Sequence, residues 1–170
     1  DMGLIDICIN NAGINIIKPL NEVSIEEYNR LMSVNLSAPF SIVRSIIPNM
    51  KKQNYGRIVN IASIWSEISK SGRSLYTTSK TGLVGFTRSM AVEYASSNIL
   101  VNAVSPGFTL TDLTKQSLSD DEKKLISSQV PMGRFAEPNE IAKMVLFLCS
   151  GLNTYITGQN ITIDGGFTLV

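Results

Sequence analysis

The chain has 170 residues and not one histidine, so the commonest protein acid/base group is unavailable to any chemistry it performs. Cysteine is nearly absent too. Cys8 and Cys149 each sit in an apolar run with no second cysteine nearby, which excludes a disulfide scaffold and predicts free thiols in a reducing compartment. Without histidine, and without a cysteine or carboxylate cluster at ligand spacing, no metal is expected. Charge is sparse: 17% of residues are charged and the net charge is +1. No basic run exceeds Lys51-Lys52 or Lys123-Lys124, which counts against nucleic acid as a partner. Apolar stretches such as Met144 to Cys149 fall far short of the ~20 residues that cross a bilayer, so no membrane partner is expected. No secretion leader opens the chain, and with the reduced thiols this predicts a cytoplasmic protein. The sequence starts at Asp1 and runs at once into Leu4-Ile5-Asp6-Ile7-Cys8-Ile9. A start in what reads as mid-strand predicts that further residues precede it.

What is present is a 44% apolar chain long enough for one compact domain with a real core. Ile5 to Ile9 reads as a buried strand, closed by the turn-like Asn10-Asn11-Ala12-Gly13. Ser24-Ile25-Glu26-Glu27 is a capping box that opens a helical pattern to about Gln53, with an interruption expected near Pro39. Arg57 to Ala62 and Ile99 to Val104 read as further strands, separated by a polar loop and a helix from about Ser74 to Ala95. The polar segment Thr109 to Arg134 is helix-prone, with a second capping box at Ser119 and Glu122. Pro138 suits the first turn of another helix, to Cys149, and Ile161 to Ile163 is a last short strand. Ile- and Val-rich strands alternating with long helices predict an α/β fold with a parallel sheet. Ligands of such sheets bind beyond the carboxyl ends of the strands. Those tips are Asn10 to Gly13, Ser63 onward, and Pro106 to Thr111.

Tyr76 and Lys80 are four residues apart within a predicted helix, which places them on one face. A phenol is a poor acid at neutral pH, and a nearby cation is expected to move its pKa toward the working pH. The pair alone says little: with this chain's tyrosine and lysine content, chance supplies about 0.26 such pairs. Its company is more informative, because Ser63 lies upstream at the tip of the preceding strand.

The sequence resembles the short-chain dehydrogenase/reductases, the family that includes the 3-oxoacyl-[acyl-carrier-protein] reductases. The resemblance spans all 170 residues and is carried by Asn10-Asn11-Ala12-Gly13, Val34-Asn35-Leu36, Ile58 to Ser63, Tyr76-x-x-x-Lys80, Val101 to Gly107, and Thr157-Gly158-Gln159 through Asp164-Gly165-Gly166. It implies a Rossmann-like doubly wound parallel sheet, of which this is the carboxyl-terminal two-thirds. It implies a tetrad in which Tyr76 exchanges the proton, Ser63 holds the carbonyl oxygen, Lys80 stabilises phenolate and grips the nicotinamide ribose, and Asn35 holds a relay water. It further implies NADP or NAD as cofactor, contacted by Asn11, Ala12, Gly13, Pro106, Gly107, Thr109 and Thr111 besides Tyr76 and Lys80. A small carbonyl or alcohol substrate, a homodimer or homotetramer, and a lid over about residues 110–129 complete what the family implies. The glycine-rich phosphate loop and the residue that selects NAD or NADP lie in the family's first strands, which this chain does not contain.

Plainer roles stand beside these. Ser63 could merely cap the next helix, Asn35 could be locally bonded, and Pro106-Gly107 could be an ordinary loop. Trp65, the only tryptophan, could pack or could face the substrate cleft. Gly82 and Gly85 should each cost about 1 kcal/mol in a helix interior, so a close approach to another element or subunit is expected there. The rival activities are a sugar-nucleotide epimerase or dehydratase, which also uses Tyr-x-x-x-Lys, and a nucleotide-binding scaffold without turnover.

Overall fold

The computed structural model describes residues 4–170. Four strands, β1 (Ile7–Asn10), β2 (Gly56–Ile61), β3 (Ile99–Pro106) and β4 (Asn160–Ile163), form one sheet in the order β1-β2-β3-β4. All three pairings are parallel. Parallel neighbours need crossovers, and helices supply them: α1 (Ile25–Met32) and α2 (Ala38–Gln53) between β1 and β2, α3 (Ser74–Tyr94) between β2 and β3. Before β4 come α4 (Asp112–Ser117), α5 (Asp120–Ser128) and α6 (Pro138–Cys149).

The side chains of β2 and β3 divide between two cores. On one face Ile58, Ile99 and Val101 meet Val43, Ile46, Ile47 and Met50 of α2 and Ala91 of α3. On the other, Val59 and Val104 meet Ile141, Leu148 and Cys149 of α6. Helices on both faces of a parallel sheet make this a Rossmann-like α/β fold, as the strand pattern predicts. By length and apolar content alone, the continuous helical run Ile25–Gln53 could cross a membrane. Its Val43, Ile46, Ile47 and Met50 are instead buried in the first core.

Local chemistry explains the helix starts. Ser24 and Glu27 form the expected capping box, as do Ser119 and Glu122. Pro138 occupies the first position of α6 behind a further box of Glu137 and Glu140, and Arg134 grips Glu140 through two bonds of 2.7 and 2.8 Å. Cys149 is buried and Cys8 half-buried, both free. The interruption expected near Pro39 is real but lies just before it. Ser33–Ser37 is a single π-helical stretch that runs directly into α2, and Pro39, lacking an N–H, cannot donate back to a carbonyl of that stretch.

Gly82 meets the expectation of a close approach: an added Cβ would lie 3.1 Å from Leu36. At Gly85 nothing lies within 4 Å, so no contact within the described chain explains that glycine.

Candidate active site

The three strand tips converge on one open cleft of about 1350 Å³, lined among others by Asn11, Gly13, Ser63, Tyr76, Lys80 and Pro106. Gly107, Thr109 and Thr111 line it too. Ala12 and Asn35 do not.

At the tip of β1, Asn10 turns inward: its Nδ2 donates to Asn60 Oδ1 at 2.7 Å, and Asn60 Nδ2 donates to Thr87 Oγ1 at 2.8 Å. This buried chain ties β1 to β2 and α3 and fixes where the next turn leaves the sheet. Gly13 follows, within ordinary contact distance of two site residues. A Cβ there would stand 3.4 Å from Lys80 Nζ and 3.6 Å from Asn35 Oδ1.

Asn35, on the π-helical stretch, is 1% exposed. It clamps the backbone of Ile14 from both sides, accepting from its N–H and donating to its carbonyl at 2.9 Å each. Its Nδ2 also donates to Ser79 Oγ at 3.1 Å. The side chain is bonded, though not to its own helix. It anchors the turn after β1 to α3, next to Lys80. A π turn also widens the backbone spacing locally and leaves main-chain carbonyls less fully paired.

Ser63 ends the strand-to-loop passage after β2. Its Oγ accepts from Trp65 N–H at 3.3 Å, so the capping role is real. The same hydroxyl stands near enough to Tyr76 to pull the phenol's pKa down, although no closed hydrogen bond joins the two among the described residues. Such pairs tighten when a substrate oxygen enters. Tyr76 and Lys80 share a face of α3 as the spacing predicts, with Nζ 5.6 Å from the ring centroid. Lys80 is 3% exposed and donates to Ile61 O at 2.7 Å.

The electrostatics correct one expectation. Burial pushes the Tyr76 phenol above its ordinary pKa, opposed by the Ser63 hydroxyl and by the Arg73 charge. Lys80 is not among the groups that lower it; burial instead brings the ammonium itself down to about 8. Desolvation outweighs the mutual help of the two groups, because both sit in the same poorly hydrated wall.

Pro106 and Gly107 end β3. A Cβ on Gly107 would fall 2.7 Å from Asp164 Cα, so this glycine is required by the packing of β3 against the turn after β4. Thr109 Oγ1 donates to Gly107 O at 3.2 Å, and Thr111 caps α4 by accepting from Thr114 N–H. Both hydroxyls have local bonds besides facing the cleft. Trp65 satisfies both of its alternatives, being 7% exposed and yet part of the cleft wall.

Sequence reasoning passed over Arg73, which stacks on Trp65 with its guanidinium carbon 4.9 Å from the ring centroid. The available signal was its place three residues before Tyr76, one helical turn away. It also passed over Asn60, Thr87 and Ser79, polar residues in apolar surroundings whose partners are far apart in sequence.

A family model described as enoyl-(acyl carrier protein) reductase matches residues 1–168. The chain is 46% identical to the 3-oxoacyl-[acyl-carrier-protein] reductase FabG of Aquifex aeolicus over 162 residues, covering 95% of this chain and 65% of that one. It is 41% identical to the FabG of Escherichia coli, covering 100% and 69%. The chain thus spans about two thirds of the length of these relatives. Among solved structures, gluconate 5-dehydrogenase from Burkholderia cenocepacia, in complex with NADP and tartrate, superposes with a TM-score of 0.94 at 29% identity, over 99% of this chain and 67% of that one. A 4-hydroxyisoleucine dehydrogenase mutant complexed with NADH and succinate gives 0.92 at 36%, over 97% and 69%. The fold and these relatives define a class of nucleotide-dependent α/β dehydrogenases. Within it, the chain belongs to the short-chain dehydrogenase/reductase family and is FabG-like.

Proposed function

We propose that the protein carrying this chain is an NAD(P)-dependent oxidoreductase that interconverts a carbonyl and a secondary alcohol. The observation that supports this most is the meeting of Ser63, Tyr76 and Lys80 in one cleft wall, with Lys80 over the Tyr76 ring. When bound, a nicotinamide nucleotide supplies or accepts the hydride. The residues present fit such a group: Gly13 and Lys80 line the cleft side by side, and no carboxylate lines it among the described residues to repel phosphate. Asn11, Gly13, Lys80, Pro106, Gly107, Thr109 and Thr111 would hold it.

In this mechanism Ser63 donates a hydrogen bond to the substrate oxygen and holds it against Tyr76. Tyr76 gives its proton to that oxygen in reduction and takes it back in oxidation. A phenol kept neutral by burial is suited to the donor role, and charge on the departing phenolate is met by Lys80 and Arg73. Asn35 fixes the turn after β1 beside Lys80, where a relay water would restore the proton.

The FabG relatives place a 3-oxoacyl thioester first among substrates to try. The remaining parts of the account are a single domain of this family, a lid formed by α4 and α5 over the cleft, and a cytoplasmic homodimer or homotetramer. Exposed Phe40 and Ile42 on α2, Val92 on α3 and the open space at Gly85 leave surface that suits a partner subunit. A monomeric mass by light scattering would refute the oligomer. The activity itself is tested by following nicotinamide absorbance while the full-length protein is offered NADH or NADPH with a panel of 3-oxoacyl thioesters and other ketones. Turnover of at least one ketone is expected; no turnover with either cofactor, once binding of that cofactor is shown, would refute it.

A further inference from the structure

The charged side chains that line the cleft are all cations: Arg30, Arg73 and Lys80, with no carboxylate among the described lining residues. Their situations differ. Arg30 is exposed on α1. Lys80 is committed to Ile61 O and to the Tyr76 ring. Arg73 is partly buried, lies over the Trp65 ring, and makes no ion pair with any described residue. Its charge is felt by the Tyr76 phenol. Burying a guanidinium without an anion is costly. Stacking on an aromatic face orients its planar fork but leaves the in-plane N–H donors free for a carboxylate.

We propose that Arg73, held on Trp65 beside Tyr76, is the residue that sets substrate choice, and that it takes a carboxylate carried one or two carbons from the reacting carbonyl. The preferred substrate class is then a short oxo acid anion, reduced to the hydroxy acid, ahead of an uncharged ester or thioester. This rests on the oxidoreductase function proposed above. Arg73 and Tyr76 stand one helical turn apart and line the same cleft, so a single small substrate can reach both. In the reaction the carbonyl π bond breaks, its carbon receives the hydride and its oxygen receives the Tyr76 proton. The carboxylate remains on Arg73 unchanged.

The test uses full-length protein and two probes that share the reacting ketone, the acetoacetate anion and its uncharged methyl ester. With wild type, kcat/KM for acetoacetate should exceed that for the ester by about 10- to 100-fold, the range expected for a charged hydrogen-bonded contact. Arg73→Gln should abolish that preference by raising KM for the acid, with the nicotinamide KM unchanged and any fall in kcat from the lost charge beside Tyr76 shared by both probes. Arg73→Lys should keep part of it and covers the case in which Arg73→Gln fails to fold. Calorimetric binding of the two probes to cofactor-loaded Tyr76→Phe protein, with and without Arg73→Gln, gives a readout that needs no turnover. Tighter binding of the acid that disappears with Arg73→Gln supports the proposal even if neither probe is reduced, an outcome that counts against the oxidoreductase function instead. Equal handling of acid and ester by wild type, equal losses for both in Arg73→Gln, or a selective rise in the nicotinamide KM would overturn it.

Discussion

Replacing Lys80 with Met removes an ammonium from a wall where it is 3% exposed, while keeping an unbranched side chain of similar length. Burial lowers its pKa from 10.5 to about 8. The folded value lies below the unfolded one, so between those values the unfolded chain binds the extra proton and stability rises with pH. Below pH 8 the full penalty for burying the charge is present. The difference between the two pKa values corresponds to about 3 kcal/mol over the whole window, roughly 2 of it gained between about pH 7 and about pH 9.5. The Met variant has no such titration. Urea unfolding of cofactor-free wild type and Lys80→Met across that range should therefore show wild type gaining about 2 kcal/mol relative to the variant as pH rises. Subtracting the variant removes titrations common to both proteins, including the raised phenol of Tyr76. A difference that stays constant to within about 0.5 kcal/mol, or falls with pH, would refute the claim that desolvation governs this lysine.

Further consequences follow from packing. Gly107→Ala places a methyl group 2.7 Å from Asp164 Cα, and thermal unfolding should show a loss of about 1–3 kcal/mol. Asn60→Ala breaks the Asn10–Asn60–Thr87 chain. It should cost about 1–3 kcal/mol in a urea titration, because Asn10 loses its buried partner. Trp65→Ala removes the ring beneath Arg73 and should change the ranking of carbonyl substrates; an unchanged ranking would show that the ring only packs.

The elements were legible where local chemistry decides them. The boxes at Ser24 and Ser119, the proline at the start of α6, and the apolar strands β2 and β3 are all set by residues within a few positions of each other. The shared face of Tyr76 and Lys80 was legible for the same reason, since helix geometry alone fixes it. Burial was not. Whether a lysine helps a phenol to ionise or is itself neutralised depends on the walls around both, and those come from β2 and the turn after β1. Asn35 shows the same limit. Its partners, Ile14 and Ser79, lie 21 and 44 residues away. Gly107 was read as part of a turn contacting the cofactor or as an ordinary loop, yet its closest neighbour is Asp164, brought in by the pairing of β3 with β4. The stacking of Arg73 on Trp65 is a contact that no spacing rule predicts.

The central claim is that the Tyr76 hydroxyl delivers the proton to a substrate oxygen. Its most direct test compares full-length wild type with Tyr76→Phe on one reducible ketone, following nicotinamide oxidation and cofactor affinity side by side. Tyr76→Phe should lose at least about 100-fold in kcat, the usual share of a positioned general acid, while binding the cofactor as tightly as wild type. A variant that keeps wild-type kcat with the phenol oxygen gone would contradict the mechanism.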